Sequence, residues 1–124
     1  MFDDRKTIGT AAEQAVKQHL ETKGYVHRAS NWRYGRGELD LVMMDGDELV
    51  FVEVKARRTD WAGRAEEGVS RKQAGILLRT GEMYSVSHPD VEGKIWRIDL
   101  VAVSLDYHGE IVELTHYENA IVIG

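Results

Sequence analysis

The sequence predicts a compact α/β or α+β domain, and three observations lead to that prediction. Two segments carry apolar residues at helical spacing, and five others form short apolar runs bounded by turn residues. The elements alternate as helix, three strands, helix and two strands. The run Asp45-Gly46-Asp47 between two of the strands is a strong β-hairpin signal. We expect residues 1–124 to form a single domain.

The elements follow from apolar spacing and from turn or capping residues. Ala12, Val16 and Leu20 define the first helix, and Gly24 marks its end. Ser70, with Gln73 three residues later, forms a capping-box pattern at the start of the second helix. The predicted helices are residues 9–22 and 70–86, and the predicted strands are residues 25–31, 38–44, 48–57, 95–103 and 111–117. Polar, glycine-containing loops are predicted at residues 33–37 and 59–68.

Composition and charge exclude several classes of protein. The absence of cysteine excludes disulfides, thiolate nucleophiles and Cys-based zinc sites. The N-terminus lacks a signal-peptide core, and no apolar run approaches the roughly 20 residues of a membrane helix, so we expect a cytoplasmic protein with no membrane partner. The net charge is −5, yet residues 28–79 hold ten Lys/Arg against nine Asp/Glu, while the remainder holds six against twelve. A locally basic face is therefore compatible with a nucleic-acid partner.

Charged residues interrupt two apolar strands on either side of the predicted hairpin. Glu53 and Lys55 share one face of the second strand, because side chains alternate along a strand. Glu38 and Asp40 share a face of the preceding strand for the same reason. The four charged groups are thus candidates for one cluster.

The hairpin register decides which charged residues face each other. A two-residue loop that begins at Asp45 places Glu38 opposite Glu53. A two-residue loop that begins at Gly46 places Asp40 opposite Glu53 instead, and Glu38 then faces the lysine. Either register is predicted to gather all four groups on one face, whereas a three-residue loop without a bulge would separate them.

Such a cluster favours a divalent metal. Two carboxylates about 4 Å apart repel by roughly 4 kcal/mol at an effective dielectric near 20. Mg²⁺ or Mn²⁺ offsets this repulsion, and the Val54 carbonyl could supply a further oxygen ligand. Such a site could hydrolyse a phosphodiester, with Lys55 orienting the water or balancing charge. The alternative is an ordinary ion-pair ladder in which Lys55 neutralises Glu38 and Glu53.

The order of these motifs resembles a known superfamily. An acidic residue on one strand, a hairpin, and Glu-x-Lys at the end of the next apolar strand are similar to the PD-(D/E)xK restriction-endonuclease-like superfamily. A longer ordered set resembles the YraN-like family of bacterial proteins, which is related to archaeal Holliday-junction resolvases. Its segments are GTAAE (9–13), NWR (31–33), GELDLV (37–42), VFVEVKAR (50–57), SRKQ (70–73), RIDL (97–100) and ENA (118–120).

The resemblance implies a fold, an activity and an assembly. The fold is α/β, with a restriction-endonuclease-like core in which a mixed central sheet of about five strands is flanked by helices. The activity is divalent-metal-dependent hydrolysis of DNA, with branched or structured forms among the candidate substrates. Because junction resolvases resemble C2 dimers, a homodimer is a candidate assembly.

The resemblance also implies roles for individual residues. Asp40 and Glu53 correspond to the metal ligands and Lys55 to the catalytic lysine, while strand geometry makes Glu38 a further candidate ligand. Glu13 corresponds to an additional acidic residue on the first helix. Two interpretations of Glu13 stay open, since it either completes a capping box with Thr10 or joins the metal site through water.

Weaker candidates concern nucleic-acid contacts. The basic residues predicted to contact phosphates are Arg33, Arg36, Arg57, Arg71 and Lys72, with Arg58 and Arg64 nearby. Trp32 and Trp61 either stack on bases or pack beside a strand. Asp99, within an apolar strand, is predicted to be a buried polar residue with a structural partner. The alternative function is a non-catalytic nucleic-acid- or protein-binding module that kept the fold.

Overall fold

A computed structural model describes residues 4–58 and 69–122, and these residues form a five-stranded sheet with a helix on each face. The elements are α1 (Asp4–Thr22), β1 (Val26–Tyr34), β2 (Gly37–Asp45), β3 (Glu48–Arg58), α2 (Arg71–Ser87), β4 (Trp96–Leu105) and β5 (Ile111–Ile121). The strands lie in sequence order, with β3 and β4 parallel and the other neighbours antiparallel. A parallel pair needs a crossover, which α2 makes between β3 and β4. The predicted α/β architecture with a mixed sheet is confirmed.

All seven predicted elements are present, with shifted ends. The helix α1 begins at Asp4 rather than at residue 9, and β1 continues to Tyr34. Arg33 therefore lies in a strand and not in the predicted loop. The predicted loop at 59–68, with Trp61 and Arg64, lies outside the described residues. Neither helix of the described segments is long and apolar enough to cross a bilayer.

The strand β3 is buried on both faces, as its continuous apolar run predicts. Val50 and Val52 pack in a cluster with α1, whereas Leu49 and Phe51 pack in a cluster with α2. These four side chains are at most 1% exposed. Burying one side chain of this kind contributes about 1.5–3 kcal/mol, so β3 holds both layers together. Glu53 follows Phe51 at the same parity and therefore faces α2.

Two glycines let α2 approach the sheet closely. A Cβ built on Gly37 would lie 1.8 Å from Oγ1 of Thr80, and one on Gly81 would lie 2.8 Å from the Phe51 ring. Only glycine leaves room for these contacts. The middle of α2 is thereby fixed against β2 three residues before Asp40.

Candidate active site

The β2–β3 hairpin fixes the register of the acidic residues. Asp45 pairs with Glu48, so the two-residue loop begins at Gly46, whose φ of +62° favours glycine. This is the second of the two registers predicted for a two-residue loop, and the three-residue loop is excluded. Extending it along both strands places Asp40 opposite Glu53.

The ladder between β2 and β3 ends before it reaches these acidic residues. Its last pair is Leu41 with Val52, and beyond it the Val54 amide donates a hydrogen bond of 2.8 Å to Oδ2 of Asp40. The carboxylate replaces the carbonyl that a continued ladder would provide. We call this opening, where Asp40 inserts between the strands, the β2–β3 fork. The N–H and C=O of one strand residue face the same neighbour, so the Val54 carbonyl also faces the fork.

The alternation of β2 changes at Asp40, which corrects one prediction. Leu39 packs in the core on the α2 side, whereas Leu41 packs on the α1 side. Strict alternation would place both on the same side. Glu38, next to Leu39, therefore faces the α1 side, and the prediction that all four charged groups share one face is wrong. Opposite the irregularity, β1 has a left-handed residue, Asn31, with φ of +54°.

Asp40 and Glu53 form a buried pair of hydrogen-bonded carboxyl groups. They are 9% and 7% exposed, respectively. Burial is the main cause that raises the pKa of Asp40, to about 9, and the hydrogen bond to Glu53 and its charge raise it further. The Val54 amide opposes the shift, because it stabilises the ionised carboxylate. Without a cation the pair therefore retains a proton at neutral pH.

Gln73 connects the acidic pair to the lysine, a contact that the sequence did not predict. Its Nε2 donates to Oε2 of Glu53 at 3.4 Å, and its Oε1 accepts from Nζ of Lys55 at 3.4 Å. The predicted N-cap at Ser70 is confirmed, since Ser70 Oγ accepts from the Gln73 amide at 3.1 Å. The cap thus places the first turn of α2, and Gln73 with it, over β3. No local sequence signal predicts this contact, which depends on how α2 docks.

Glu13 lies on the α1 side of the fork, and its capping-box interpretation is wrong. Because α1 begins at Asp4, Thr10 is inside the helix and cannot be its N-cap. Glu13 Oε1 instead accepts a hydrogen bond of 3.1 Å from Nδ2 of Asn31. Burial is the largest cause that raises the Glu13 pKa, and the charges of Asp40 and Glu38 add to it. The Asn31 hydrogen bond opposes that rise.

The donors at the fork fit a small divalent cation that keeps part of its water shell. Asp40 and Glu53 supply carboxylate oxygens, and the Val54 carbonyl faces the same opening. Mg²⁺ is usually held by one or two carboxylates with waters and substrate phosphates, which this set matches. In the described segments, no three His, Asp or Glu side chains meet closely enough to hold a metal. Glu38 is instead ion-paired with Arg33, with 2.7 Å between Nε and Oε2.

The basic candidates lie on different elements. Arg36 is in the β1–β2 turn, Arg57 is near the end of β3, and Arg71 and Lys72 begin α2. Arg71 and Lys72 are exposed within two residues of Gln73. These two cations therefore lie in the same first turn of α2 as Gln73, and a phosphate backbone that approached this turn would gain from them.

Comparison with protein-family models shows to which family the chain belongs. The family model described as "Uncharacterised protein family UPF0102" matches residues 12–103, which include the fork and Gln73. The chain belongs to the UPF0102 family. The predicted YraN-like resemblance is confirmed at this level.

Relatives in the UPF0102 family match over most of their length. A UPF0102 protein of Pelotomaculum thermopropionicum is 38% identical over 120 residues, covering 97% of this chain and 99% of the relative. One from Ectopseudomonas mendocina is 42% identical over 99 residues, covering 80% and 83%. One from Roseiflexus castenholzii is 31% identical over 121 residues, covering 98% of each. The similarity therefore extends well beyond the charged motifs.

A second polar cluster in this UPF0102 chain confirms the prediction for Asp99. The carboxylate is 0% exposed and accepts from Arg97 Nε at 2.9 Å, from His116 Nε2 at 2.7 Å and from the Asn119 amide at 2.8 Å. Lys23 Nζ lies 3.0 Å from His116 Nδ1, so Nδ1 is the acceptor and Nε2 carries the proton donated to Asp99. The cluster joins β4 to β5.

Proposed function

We propose that this UPF0102 protein is a divalent-metal-dependent nuclease that hydrolyses phosphodiester bonds of DNA, with branched or structured forms as candidate substrates. The observation that supports the proposal is the pair of buried carboxyl groups of Asp40 and Glu53 beside Lys55. Burial is the main reason why Asp40 retains its proton, and the charge of Glu53 adds to it, so a cation that replaces this proton offsets both effects. An ion-pair ladder would not require burial of both carboxyl groups.

The residues around the fork have different roles in the proposed reaction. Mg²⁺ or Mn²⁺ would polarise a phosphoryl oxygen and lower the pKa of a bound water. Asp40 and Glu53 supply the ligand oxygens, and the Val54 amide fixes the orientation of Asp40. Gln73 is a positioning residue, since it sets Glu53 and Lys55 relative to each other. The Lys55 ammonium group balances the negative charge that develops on the pentacovalent phosphate.

The proposal also includes a restriction-endonuclease-like core and water-mediated metal contacts for two further acidic residues, Glu13 and Glu38. It is supported by a mixed sheet whose central strands separate where the acidic pair lies, and by the Glu-x-Lys spacing of β3. Glu13 and Glu38 are on the α1 side of the fork. We assign them contacts to the metal through water, because neither side chain belongs to the hydrogen-bonded pair.

A cleavage assay tests the proposed function. Labelled four-way junctions, forked duplexes, hairpins and linear duplexes are incubated with the protein in Mg²⁺, Mn²⁺ or EDTA. We expect metal-dependent cleavage that falls by roughly a hundredfold or more in Asp40→Asn, Glu53→Gln and Lys55→Ala. Glu92→Gln, an exposed acid outside the site, is the matched control and should cleave normally. Equal cleavage by the control and the three site variants would contradict the proposal.

The competing function is a binding module that kept the fold without activity. The net charge of −5 favours it, because strong nucleic-acid binders are usually basic. DNA binding without metal binding or cleavage would select this alternative. Sedimentation of the free protein and of its DNA complex tests the homodimer that the resemblance implies.

A further inference from the structure

A small cavity lies between the β1–β2 turn and the middle of α2. Its volume is about 190 Å³, and it is lined by Tyr34, Arg36, Gly37, Ile76, Arg79 and Thr80. The lining is mainly apolar, and its residues include a tyrosine, an isoleucine and two arginines. No role in the proposed chemistry explains this combination.

The aromatic wall of the cavity is exposed and rigidly supported. Tyr34 is 41% exposed, and its ring lies parallel to that of Trp32, with 7° between planes and 6.4 Å between centroids. Trp32 packs edge-on against Tyr84 at 5.1 Å, which confirms a packing role for this tryptophan. An exposed ring with a fixed plane presents a stacking surface at little entropic cost.

The two arginines at the cavity have no acidic partner in the described part of the chain. Arg28 is paired with Asp90, and Arg33 is paired with Glu38. No hydrogen bond or ion pair within residues 4–58 and 69–122 engages the side chain of Arg36 or Arg79, and both side chains are exposed. Two exposed arginines without an acidic partner beside one cavity of an acidic protein favour an anionic ligand whose charge lies at the rim of the cavity.

The cavity adjoins the fork along two elements. Gly37 precedes Asp40 by three strand residues, or about 10 Å. Ile76 follows Gln73 by three helix residues, or about 4.5 Å. The close contact of Gly37 with Thr80 joins these elements at the cavity itself. A nucleic-acid strand whose phosphate lies at the fork would therefore bring a neighbouring nucleotide to the cavity.

We propose that the cavity binds one unpaired nucleotide, with its base against Tyr34 and Ile76 and its phosphates beside Arg36 and Arg79. We expect the cavity to prefer unpaired over paired nucleotides, because a base stacked within a duplex cannot present its face to Tyr34. The position of this nucleotide beside a scissile phosphate rests on the proposed function, whereas its binding does not. The substrate class is thus DNA or RNA with unpaired nucleotides next to the cleavage site.

Binding in EDTA tests the cavity without metal or cleavage. Fluorescence anisotropy measures the affinity for a short single-stranded DNA, an RNA of the same sequence and the blunt duplex DNA. Tyr34→Leu should weaken single-strand binding by about tenfold and duplex binding far less, while Tyr34→Phe should bind as the wild type does. Arg36→Gln and Arg79→Gln should each lower the salt dependence of single-strand binding by about one counterion.

Matched controls and a second assay separate this inference from the nuclease proposal. Tyr107→Leu removes an exposed tyrosine outside the cavity, and Lys94→Gln removes a positive charge near the β2–β3 turn. If Tyr34→Leu binds single strands as Tyr107→Leu does, or loses duplex binding equally, the cavity proposal is overturned. Tyr34-dependent single-strand binding by a protein that does not bind metal would support the cavity and overturn the nuclease. The DNA and RNA arms decide which nucleic acid the cavity prefers.

Discussion

The carboxyl groups of Asp40 and Glu53 hydrogen-bond to each other although they belong to different strands. The register of the hairpin places them opposite each other, and the end of the β2–β3 ladder opens the space between them. Burial and mutual repulsion make this arrangement unfavourable when both groups are ionised. This destabilising arrangement has measurable consequences.

Asp40→Asn should stabilise the metal-free protein. The folded-state pKa of Asp40 is raised from 3.8 to about 9, so the folded state binds more protons and wild-type stability falls as pH rises through that interval. Asparagine keeps a carbonyl acceptor for the Val54 amide and an amide donor for Glu53. We expect a gain of about 1 kcal/mol at the upper end of the interval, or roughly 4 °C in melting temperature. Thermal unfolding in EDTA across this range measures it, and a parallel decline in both proteins would contradict the assignment.

Gln73→Ala and Ser70→Ala should separate positioning from helix capping. Ser70→Ala removes the cap and should lower the free energy of unfolding by about 1 kcal/mol while the site contacts remain. Gln73→Ala keeps the capping hydroxyl but removes the bridge between Glu53 and Lys55, so cleavage should fall by roughly tenfold or more. Chemical unfolding and single-turnover cleavage measure the two effects. The same profile for both variants would show that Gln73 acts only through α2 stability.

Gly37→Ala should destabilise the fold, because its new Cβ would overlap Thr80 Oγ1. The cost is expected to be about 1–3 kcal/mol, and Thr80→Ala in the same chain should recover only part of it. Recovery is partial because the Thr80 Cβ would still lie 3.0 Å from the new Cβ. Gly75→Ala is the matched control, since nothing lies within 4 Å of its Cβ position and alanine favours helix. Urea unfolding of the four proteins tests this packing, and similar effects at both glycines would contradict it.

Asp99→Ala should cost more than the loss of an exposed ion pair. Arg97 keeps Glu48 and Asp45 as partners. The substitution nevertheless leaves His116 Nε2 and the Asn119 amide without their buried acceptor, at an expected cost of about 1–3 kcal/mol. Hydrogen bonds from His116 and Arg97 lower the Asp99 pKa, although burial opposes them. Its stabilising contribution is therefore full above the ordinary carboxyl pKa of 3.8 and is lost as pH falls below it.

Denaturant unfolding at neutral and acidic pH measures this contribution, with Asp90→Asn as the control. Asp90 forms an exposed pair with Arg28, so its replacement should change stability little. Equal losses in the two variants would show that the Asp99 cluster contributes no more than a surface pair.

The sequence predicted the elements that depend on local patterns. Apolar spacing identified both helices and all five strands, and the Asp45-Gly46-Asp47 run predicted a tight hairpin whose two-residue registers include the one observed. The capping residue Ser70 and the buried Asp99 were also predicted from their immediate neighbours. Turn formation and side-chain periodicity depend on residues close in sequence, so they can be predicted from a single sequence.

The remaining features depend on tertiary contacts that no local pattern encodes. Strand periodicity predicted Glu38 on the face of Glu53, but the irregularity at Asp40 and Asn31 reverses the alternation. The capping-box pattern at Glu13 was misleading because the helix extends further toward the N-terminus. The contacts of Gln73 with Glu53 and Lys55, and the cavity beside Tyr34, form only when α2 docks on the sheet.

Calorimetric titration of Mn²⁺ and Mg²⁺ into the substrate-free protein tests the central claim most directly. We predict binding to the wild type with release of a proton, and loss of that binding in both Asp40→Asn and Glu53→Gln. Glu92→Gln should bind as the wild type does. Wild-type binding that persists in both site variants, or no binding even when DNA is present, would contradict a metal site at Asp40 and Glu53.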